Sequence, residues 1–297
     1  MYSITIGVMQ LRYEIKCGDN AKLLTELKDN TVDACITDPP YGMGMEHWDK
    51  TVPPVEIWKE VLRVLKPGAF CLSFCSPQLY HRMAVNIEDA GFNIQDQIMW
   101  MVTTKMPKKN RLKPAHEPIA VAQKPFKGSI EFNAENWKGV GSINISRKEI
   151  PWEGKPPTGW IKGGEGRRAW GKKVKKAGKN AKKKLGTVDA NPEGRYPSNV
   201  IGEVEPEHQK YFYAPRATRK ERGKYNDHPT PKPIELMRYL IRVYSPENST
   251  ILDPYNGSGS TGIAALLENR KYIGMELDRH YCNVSEKRIK EHFPLGV

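Results

Sequence analysis

The stretch Thr250-Ile251-Leu252-Asp253-Pro254-Tyr255-Asn256-Gly257-Ser258-Gly259-Ser260-Thr261 decides the fold. It opens on a short apolar run, Thr250–Leu252, of strand type, and leads into the helical pattern Gly262–Glu268. Between them lies a turn with two glycines, Gly257 and Gly259. Such a turn lets backbone approach a ligand closely at the positive end of the next helix. A further strand, Tyr272–Glu276, follows, and its terminal acid stands 19 positions beyond Gly257. An acid so placed can bind ribose hydroxyls. With Asp253 at the tip of the first strand, this is the layout of a nucleoside-cofactor site. The glycines do not complete the G-x-G-x-x-G phosphate fingerprint, which weighs against a dinucleotide.

The same alternation continues outward on both sides. Tyr2–Val8 and Tyr13–Lys16 read as strands, Ala21–Lys28 as a short helix, and Val32–Thr37 as a buried parallel strand. Pro54–Leu65 has helical spacing, with Ile57, Val61, Leu62 and Leu65 on one face, and Lys66-Pro67-Gly68 is expected to stop it. Ala69–Phe74 is a second buried strand and Pro77–Ala90 a second helix; Phe92–Val102 and Pro118–Ala122 read as further strands. Pro233 opens a helix over Ile234–Tyr244, and Arg279–Lys290 is the last one. Strands alternating with helices at both ends predict an α/β fold with a doubly wound, mostly parallel sheet. Residues 125–224 show weak periodicity and many Gly and Pro, and read as an insertion between a first half, 1–124, and a last half, 225–297.

The 297 residues carry a net charge of +13. A folded chain so basic, with no apolar run approaching the ~20 residues of a membrane span, points to a polyanionic partner, most simply nucleic acid. The excess is local. Residues 1–124 are near neutral, with 15 basic and 14 acidic side chains, and residues 225–297 hold 9 of each. Residues 125–224 hold 23 basic and 11 acidic ones. Inside them, Lys162–Lys184 has eleven basic residues and one acid, Glu165. This Gly-rich run cannot pack as a core element and is read as a phosphate-tracking loop, against the plainer reading of a solvated surface loop. Arg167, Arg168, Lys172, Lys173, Lys175, Lys176, Lys182, Lys183 and Lys184 are its candidate nucleic-acid contacts. Trp152, Trp160 and Trp170 are interleaved and can stack on bases or anchor the loop.

Five cysteines, with no secretory signal visible in Met1–Met9, point to reduced thiols and a cytoplasmic setting. Cys71 and Cys75 are expected to share a core face. No His, Cys or acid spacing suits a metal, and none is expected.

Asp38-Pro39-Pro40-Tyr41 ends the strand Val32–Thr37. Two prolines stiffen the loop and remove its amide hydrogens, so it presents acceptors only: the Asp38 carboxylate and the carbonyls of Pro39 and Pro40. Such a loop suits two N–H donors beside a flat ring, as in the exocyclic amino group of a nucleobase. Two acceptors draw the amino lone pair out of conjugation, and Tyr41 can stack on the base.

Together these residues resemble the S-adenosylmethionine-dependent amino-methyltransferases that act on DNA. Asp38–Tyr41 is similar to their DPPY loop and Asp253–Thr261 to their GxG cofactor loop. The order, catalytic loop first and cofactor loop last, resembles the permuted beta class. Gly18-Asp19, His116-Glu117 and His228-Pro229-Thr230-Pro231-Lys232-Pro233 are similar to further motifs of that family. The resemblance covers about 13–124 and 225–290; Arg195–Val200 and Pro215–Arg219 resemble related enzymes only slightly.

It implies a Rossmann-like methyltransferase sheet with one antiparallel hairpin strand, and a target-recognition role for the basic insertion. It implies that Asp38, Pro39, Pro40 and Tyr41 are catalytic. It also implies that Asp19, Asp38, Thr230, Lys232, Pro233, Asp253, Asn256, Gly257, Ser258, Gly259, Ser260, Thr261 and Glu276 line the S-adenosylmethionine site. The partner is then double-stranded DNA, with base flipping. A homodimer and a companion restriction endonuclease stay open, as do a bacterial or a phage origin. Adenine is the expected base, because Asp at position 38 resembles the adenine enzymes; the amino group of cytosine is the alternative. Methylation of a cytosine ring carbon is excluded, since it needs a Pro-Cys loop and no cysteine here follows a proline. RNA or protein-amide methylation fits poorly, because those relatives carry Asn at position 38 and place the GxG loop first. A non-catalytic nucleic-acid-binding protein with a relict cofactor site is the reading from another class.

Overall fold

The computed structural model describes residues 12–42, 44, 49–102, 115–146, 158–161, 186–189, 196–202, 217, 219–222 and 225–293. The expected strand Tyr2–Val8, the tract Lys162–Lys184, Trp152, Trp170 and most of Pro215–Arg219 lie outside these residues.

In chain order the elements are β1 (Tyr13–Cys17), α1 (Asn20–Thr25), β2 (Val32–Thr37), α2 (Val55–Val64), β3 (Leu65–Phe74), α3 (Tyr80–Asp89), β4 (Asn93–Met101), β5 (His116–Gln123) and α4 (Ile130–Asn136). There follow β6 (Thr158–Ile161), β7 (Gly186–Asp189), β8 (Val200–Gly202), α5 (Arg219–Arg222), α6 (Ile234–Tyr244), β9 (Thr250–Asp253), α7 (Ser260–Leu267), β10 (Lys271–Glu276) and α8 (Arg279–His292). The chain divides into two compact units, Met1–Asn144 with Asn199–Val297, and Ile145–Ser198.

The larger unit is built on a sheet of order β1-β10-β9-β2-β3-β5-β4-β8. Among the described strands of this sheet β5 alone runs antiparallel, pairing with β3 and β4. Continuous apolar runs become its centre: every residue of β2 is buried. Period-two alternation then splits the core into two layers. Ala34, Ile36, Leu72 and Phe74 face α6 and α7, through Leu236, Met237, Leu240, Ile263 and Ala264. Cys35, Cys71 and Cys75 face the other layer, with Leu24 of α1, Trp58 and Val61 of α2, and Met83 and Ile87 of α3. Cys71 and Cys75 thus share a core face as expected.

Two expectations shift. α2 ends at Val64, just before Lys66-Pro67-Gly68, but the strand starts earlier than Ala69: β3 begins at Leu65, which pairs with Val32, and a register irregularity between Val32 and Ala34 absorbs the intervening residues. Residues 125–144 are ordered by the larger unit. Ser129 caps α4, the buried Asn133 amide donates to the carbonyls of Pro67 and Val140, and Asn144 donates to those of Arg242 and Ser245. In the smaller unit, β6 and β7 form an antiparallel pair. Among the described residues no helix is long and apolar enough to cross a membrane.

The strand order reverses between β9 and β2. β2 leads through α2 to β3 on one side, and β9 leads through α7 to β10 on the other. The crevice beyond the carboxyl ends at such a reversal is where open α/β sheets bind ligands.

Candidate active site at the carboxyl edge of the sheet

Both loops singled out in the sequence leave the sheet at this reversal. The β2 loop carries Asp38 at its first position, and the buried Thr37 before it donates its hydroxyl to Asp253 Oδ1 at 2.7 Å. Thr261 donates to Asp253 Oδ2 at 2.7 Å, and the Tyr255 amide to Oδ1 at 3.0 Å. Asp253 is therefore a buckle between β2, β9 and α7. Burial pushes its carboxyl up to about 6 against the pull of those three donors. Asp253, read as a cofactor residue, is 1% exposed.

In the β2 loop, Pro39 is buried and Asp38, Pro40 and Tyr41 are half-buried. The Tyr41 hydroxyl donates to Asp38 Oδ1 at 2.5 Å. The Lys232 ammonium donates to Asp38 Oδ2 and lies 3.8 Å from Glu117 Oε2. Burial pushes the Asp38 carboxyl above its ordinary value; Lys232 pulls it down, Glu117 pushes it up, and Tyr41 pulls it down. Burial likewise holds the Tyr41 phenol well above its ordinary value. Beyond Tyr41 the loop is pinned by Asp49, which accepts from the Gly42 amide at 2.7 Å.

The β9 loop is tight for steric reasons. Gly257 and Gly259 have φ of 50° and 82°. A Cβ on Gly259 would meet Ser285 Oγ at 2.3 Å, and one on Gly257 would meet His228 Nε2 at 2.9 Å. The Gly257 amide donates to Glu276 Oε2 and the Asp278 amide to Oε1, at 2.8 and 2.9 Å. Asn256 accepts from the Tyr272 hydroxyl through Oδ1 at 2.9 Å. Buried Arg288 of α8 donates to the Ser258 carbonyl at 2.6 Å, to the hydroxyls of Ser258 and Ser260, and to the Glu221 carbonyl.

Asp19 is exposed at the end of β1, where it caps α1 by accepting from the Ala21 amide, while Gly18 donates to the Glu276 carbonyl. Asp19, Glu276 and the Asn256–Thr261 segment thus belong to three adjacent strand ends, those of β1, β10 and β9. Thr230 is exposed, and Pro233 is buried as the cap of α6. Lys232, read as part of the cofactor segment, reaches the carboxylate of Asp38, itself read as both catalytic and cofactor-lining. The Lys-rich DNA candidates lie outside the described residues. Sequence reasoning missed Thr37, Arg288 and the involvement of Glu117. Only Glu117 left a signal, in the His116-Glu117 pair. Among the described residues no group of three or more His, Cys, Asp or Glu side chains is placed to hold a metal ion.

A doubly wound sheet, a glycine turn and an acid closing the next strand define an α/β enzyme of the nucleoside-cofactor class, with an acceptor-only loop beside the cofactor turn. The chain matches the DNA methylase family of N6 and N4 enzymes over residues 32–287, and belongs to it. It is 25% identical over 287 residues to the type II methyltransferase M.HpaI of Haemophilus parainfluenzae, covering 93% of this chain and 74% of that one. Its fold is similar to that in the crystal structure of the M1.HpyAVI–SAM complex, with a TM-score of 0.54, 20% identity and coverage of 93% and 99%. It is also similar to PvuII DNA methyltransferase, described as cytosine-N4-specific, with a TM-score of 0.55, 18% identity and coverage of 94% and 88%.

The protein is an S-adenosylmethionine-dependent amino-methyltransferase of DNA. The residues present fit that cofactor. The Glu276 oxygens each accept one amide and keep lone pairs for further donors, as a ribose diol requires. His228 and Ser285 fill the space a Cβ would take at Gly257 and Gly259, so glycine alone lets the turn close this tightly at the amino end of α7.

Proposed function

We propose that this enzyme methylates the exocyclic amino group of adenine in double-stranded DNA, with Asp38, Pro39, Pro40 and Tyr41 as the catalytic loop. The observation that carries the reading is the Thr37–Asp253 hydrogen bond, which joins the two strand ends from which the acceptor-only loop and the cofactor turn leave. On this reading Asp19, Thr230, Pro233, Asn256, Gly257, Ser258, Gly259, Ser260, Thr261 and Glu276 line the cofactor site, with Asp253 bracing it. When bound, S-adenosylmethionine supplies an electrophilic methyl group and departs as a neutral thioether.

The chain's own residues do the rest. Asp38 and the Pro39 carbonyl accept the two amino hydrogens of a flipped base, whose extrusion costs a few kcal/mol. Tyr41 stacks on the ring. The nitrogen lone pair is drawn toward the methyl carbon, the new N–C bond forms as the C–S bond breaks, and one amino proton then leaves toward Asp38 or water. Positioning supplies much of the acceleration. Asp38 is suited to this because a carboxylate offers about four lone-pair directions, and Tyr41 and Lys232 occupy one each.

Residues 125–224 serve as the target-recognition insertion, and the Lys-rich tract contacts phosphates. The proposed site of action is the cytoplasm, and a companion restriction endonuclease stays open. Cytosine N4 is the second reading, kept by the likeness in fold to the PvuII enzyme. The test is incubation with unmethylated genomic DNA and labelled cofactor, followed by nucleoside analysis and modified-base sequencing. N6-methyladenine in a defined context is expected, and Asp38→Ala should abolish it while cofactor binding stays nearly intact. N4-methylcytosine would replace adenine by the second reading. Full turnover in Asp38→Ala would overturn the role of the loop.

A further inference from the structure

We infer that Lys232 is a positioning residue for methyl transfer: clamped between Asp38 and Glu117, it aims the Asp38 carboxylate, and Glu117 shares its charge. The inference rests on the reading of Asp38 as acceptor of the amino hydrogens.

Three elements converge on one ammonium. Asp38 comes from the end of β2, Glu117 from the start of β5, and Lys232 from the segment before α6. Lys232 is 7% exposed. An ammonium so buried persists only with close counter-charges. Phe74 and Tyr41 wall it in, their ring centroids 5.2 and 5.6 Å from Nζ. Its backbone lies between Pro231 and Pro233, whose rings fix their own φ, just as Pro39 and Pro40 stiffen the loop opposite. Two rigid segments thus face each other through one charged hydrogen bond. That bond occupies Asp38 Oδ2, and the Tyr41 hydroxyl occupies Oδ1. Together they fix which lone pairs of the carboxylate remain for a substrate amino group. Aim of this kind is costly to lose, since a misplacement of ~1 Å can lower a rate on the order of a hundredfold.

Among the described residues, the titratable groups acting on Asp38 are Tyr41 on its own loop, Cys75 after β3, Glu117 on β5, Lys232 before α6 and Asp253 at the end of β9. Lys232 and Glu117 act on the Asp38 carboxyl in opposite directions, the first lowering and the second raising it. Removing each should therefore move the acid limb of activity oppositely. An acceptor carboxylate must be ionised, so activity falls as pH drops through its titration. Without Lys232 the limb moves to higher pH; with Glu117 neutral it moves to lower pH.

The experiment is the pH profile of kcat/KM for DNA methylation by the wild type, Lys232→Met, Lys232→Arg and Glu117→Gln, with the cofactor Kd and Tm of each. Lys232→Met is expected to lose on the order of a hundredfold in kcat with its limb shifted up, its cofactor Kd staying within about threefold. Lys232→Arg should restore the limb while rate remains reduced, because its fork differs in reach. Glu117→Gln should shift the limb down. If Lys232→Met proves too unstable to assay, the direction in Glu117→Gln decides alone. Limbs that stay in place in both variants, or that move the same way, overturn the inference. So does a large loss of cofactor affinity in Lys232→Met with an unmoved limb, which makes Lys232 a cofactor ligand. Failure of the underlying reading looks different: Asp38→Ala then keeps full turnover.

Discussion

His228 shows how the site depends on a single uncharged side chain. Its Nδ1 accepts from the Thr230 amide at 3.3 Å, its own amide donates to Asn226 Oδ1 at 3.1 Å, and its ring meets Tyr281 edge-on at 4.8 Å. It is also the ring that a Cβ on Gly257 would strike. Burial first, then the Lys232 and Arg288 cations, push its titration down to about 4. The unfolded chain takes up that proton near 6.5. Between these values the unfolded state binds the proton and the folded state does not, so stability falls as pH drops through the window. Asp253 works the other way, because its carboxyl, raised to about 6, binds a proton more tightly when folded. Its contribution is lost as pH rises from about 4 to about 6. The two oppose each other in the wild type, so His228 must be judged by difference. His228→Gln keeps an acceptor but does not titrate. We expect its urea midpoint to fall less than the wild type's between pH 6.5 and 4. Equal falls in the two proteins would show that His228 is not the group responsible.

At the scale of elements, α8 is the brace of the cofactor turn. The Arg288 guanidinium reaches the Ser258 carbonyl, two serine hydroxyls and the Glu221 carbonyl from one buried position. A lysine has a point charge and cannot span these acceptors. Arg288→Lys should therefore lower stability by roughly 1–3 kcal/mol, the cost of leaving buried acceptors unmade. It should also reduce the Tm gained on saturating with S-adenosylmethionine, since part of the binding energy must now order the turn. A variant with lower Tm but an undiminished gain would limit Arg288 to a role in folding. Elements like these were unevenly legible in the sequence. The helix Ile234–Tyr244 and the strand Val32–Thr37 fall where the residues predict, because period and flanking prolines are local signals. The start of β3 at Leu65 was hidden, because it depends on pairing with Val32 across a register irregularity. α4 was hidden because it is short and largely exposed, and is fixed by its cap and Asn133. The same divide runs through the site. Asp38–Tyr41 and Asn256–Thr261 are contiguous and could be read. The contact of Lys232 with Asp38, 194 positions apart, exists only once the sheet brings β2 beside the approach to α6.

For the whole molecule, the useful quantity is where the charge of +13 resides rather than its size. The segments that build the cofactor turn and the Asp38 loop are close to neutral, while Lys162–Lys184 alone holds eleven basic residues. If the tract contacts phosphates as proposed, chemistry and phosphate attraction are carried by different parts of the chain and should be separable. Each phosphate neutralised on duplex DNA adds about 0.9 to the slope of log affinity against log salt. If the tract follows the backbone, replacing Lys162–Lys184 with a short Gly-Ser linker should flatten that slope by several units. It should weaken DNA binding by orders of magnitude at 50 mM salt, less at 200 mM, where counterion release already contributes less. Cofactor affinity should not change, because Asp19, Glu276 and the Asn256–Thr261 turn lie outside the replaced residues. Salt titration of DNA binding by fluorescence anisotropy, with cofactor binding measured in parallel, decides the point. A slope equal to the wild type's would mean that the tract is a solvated surface run and that the phosphates are held elsewhere. A flattened slope with unchanged sequence context in the methylated products would assign the tract to attraction alone, leaving base recognition to the rest of the insertion.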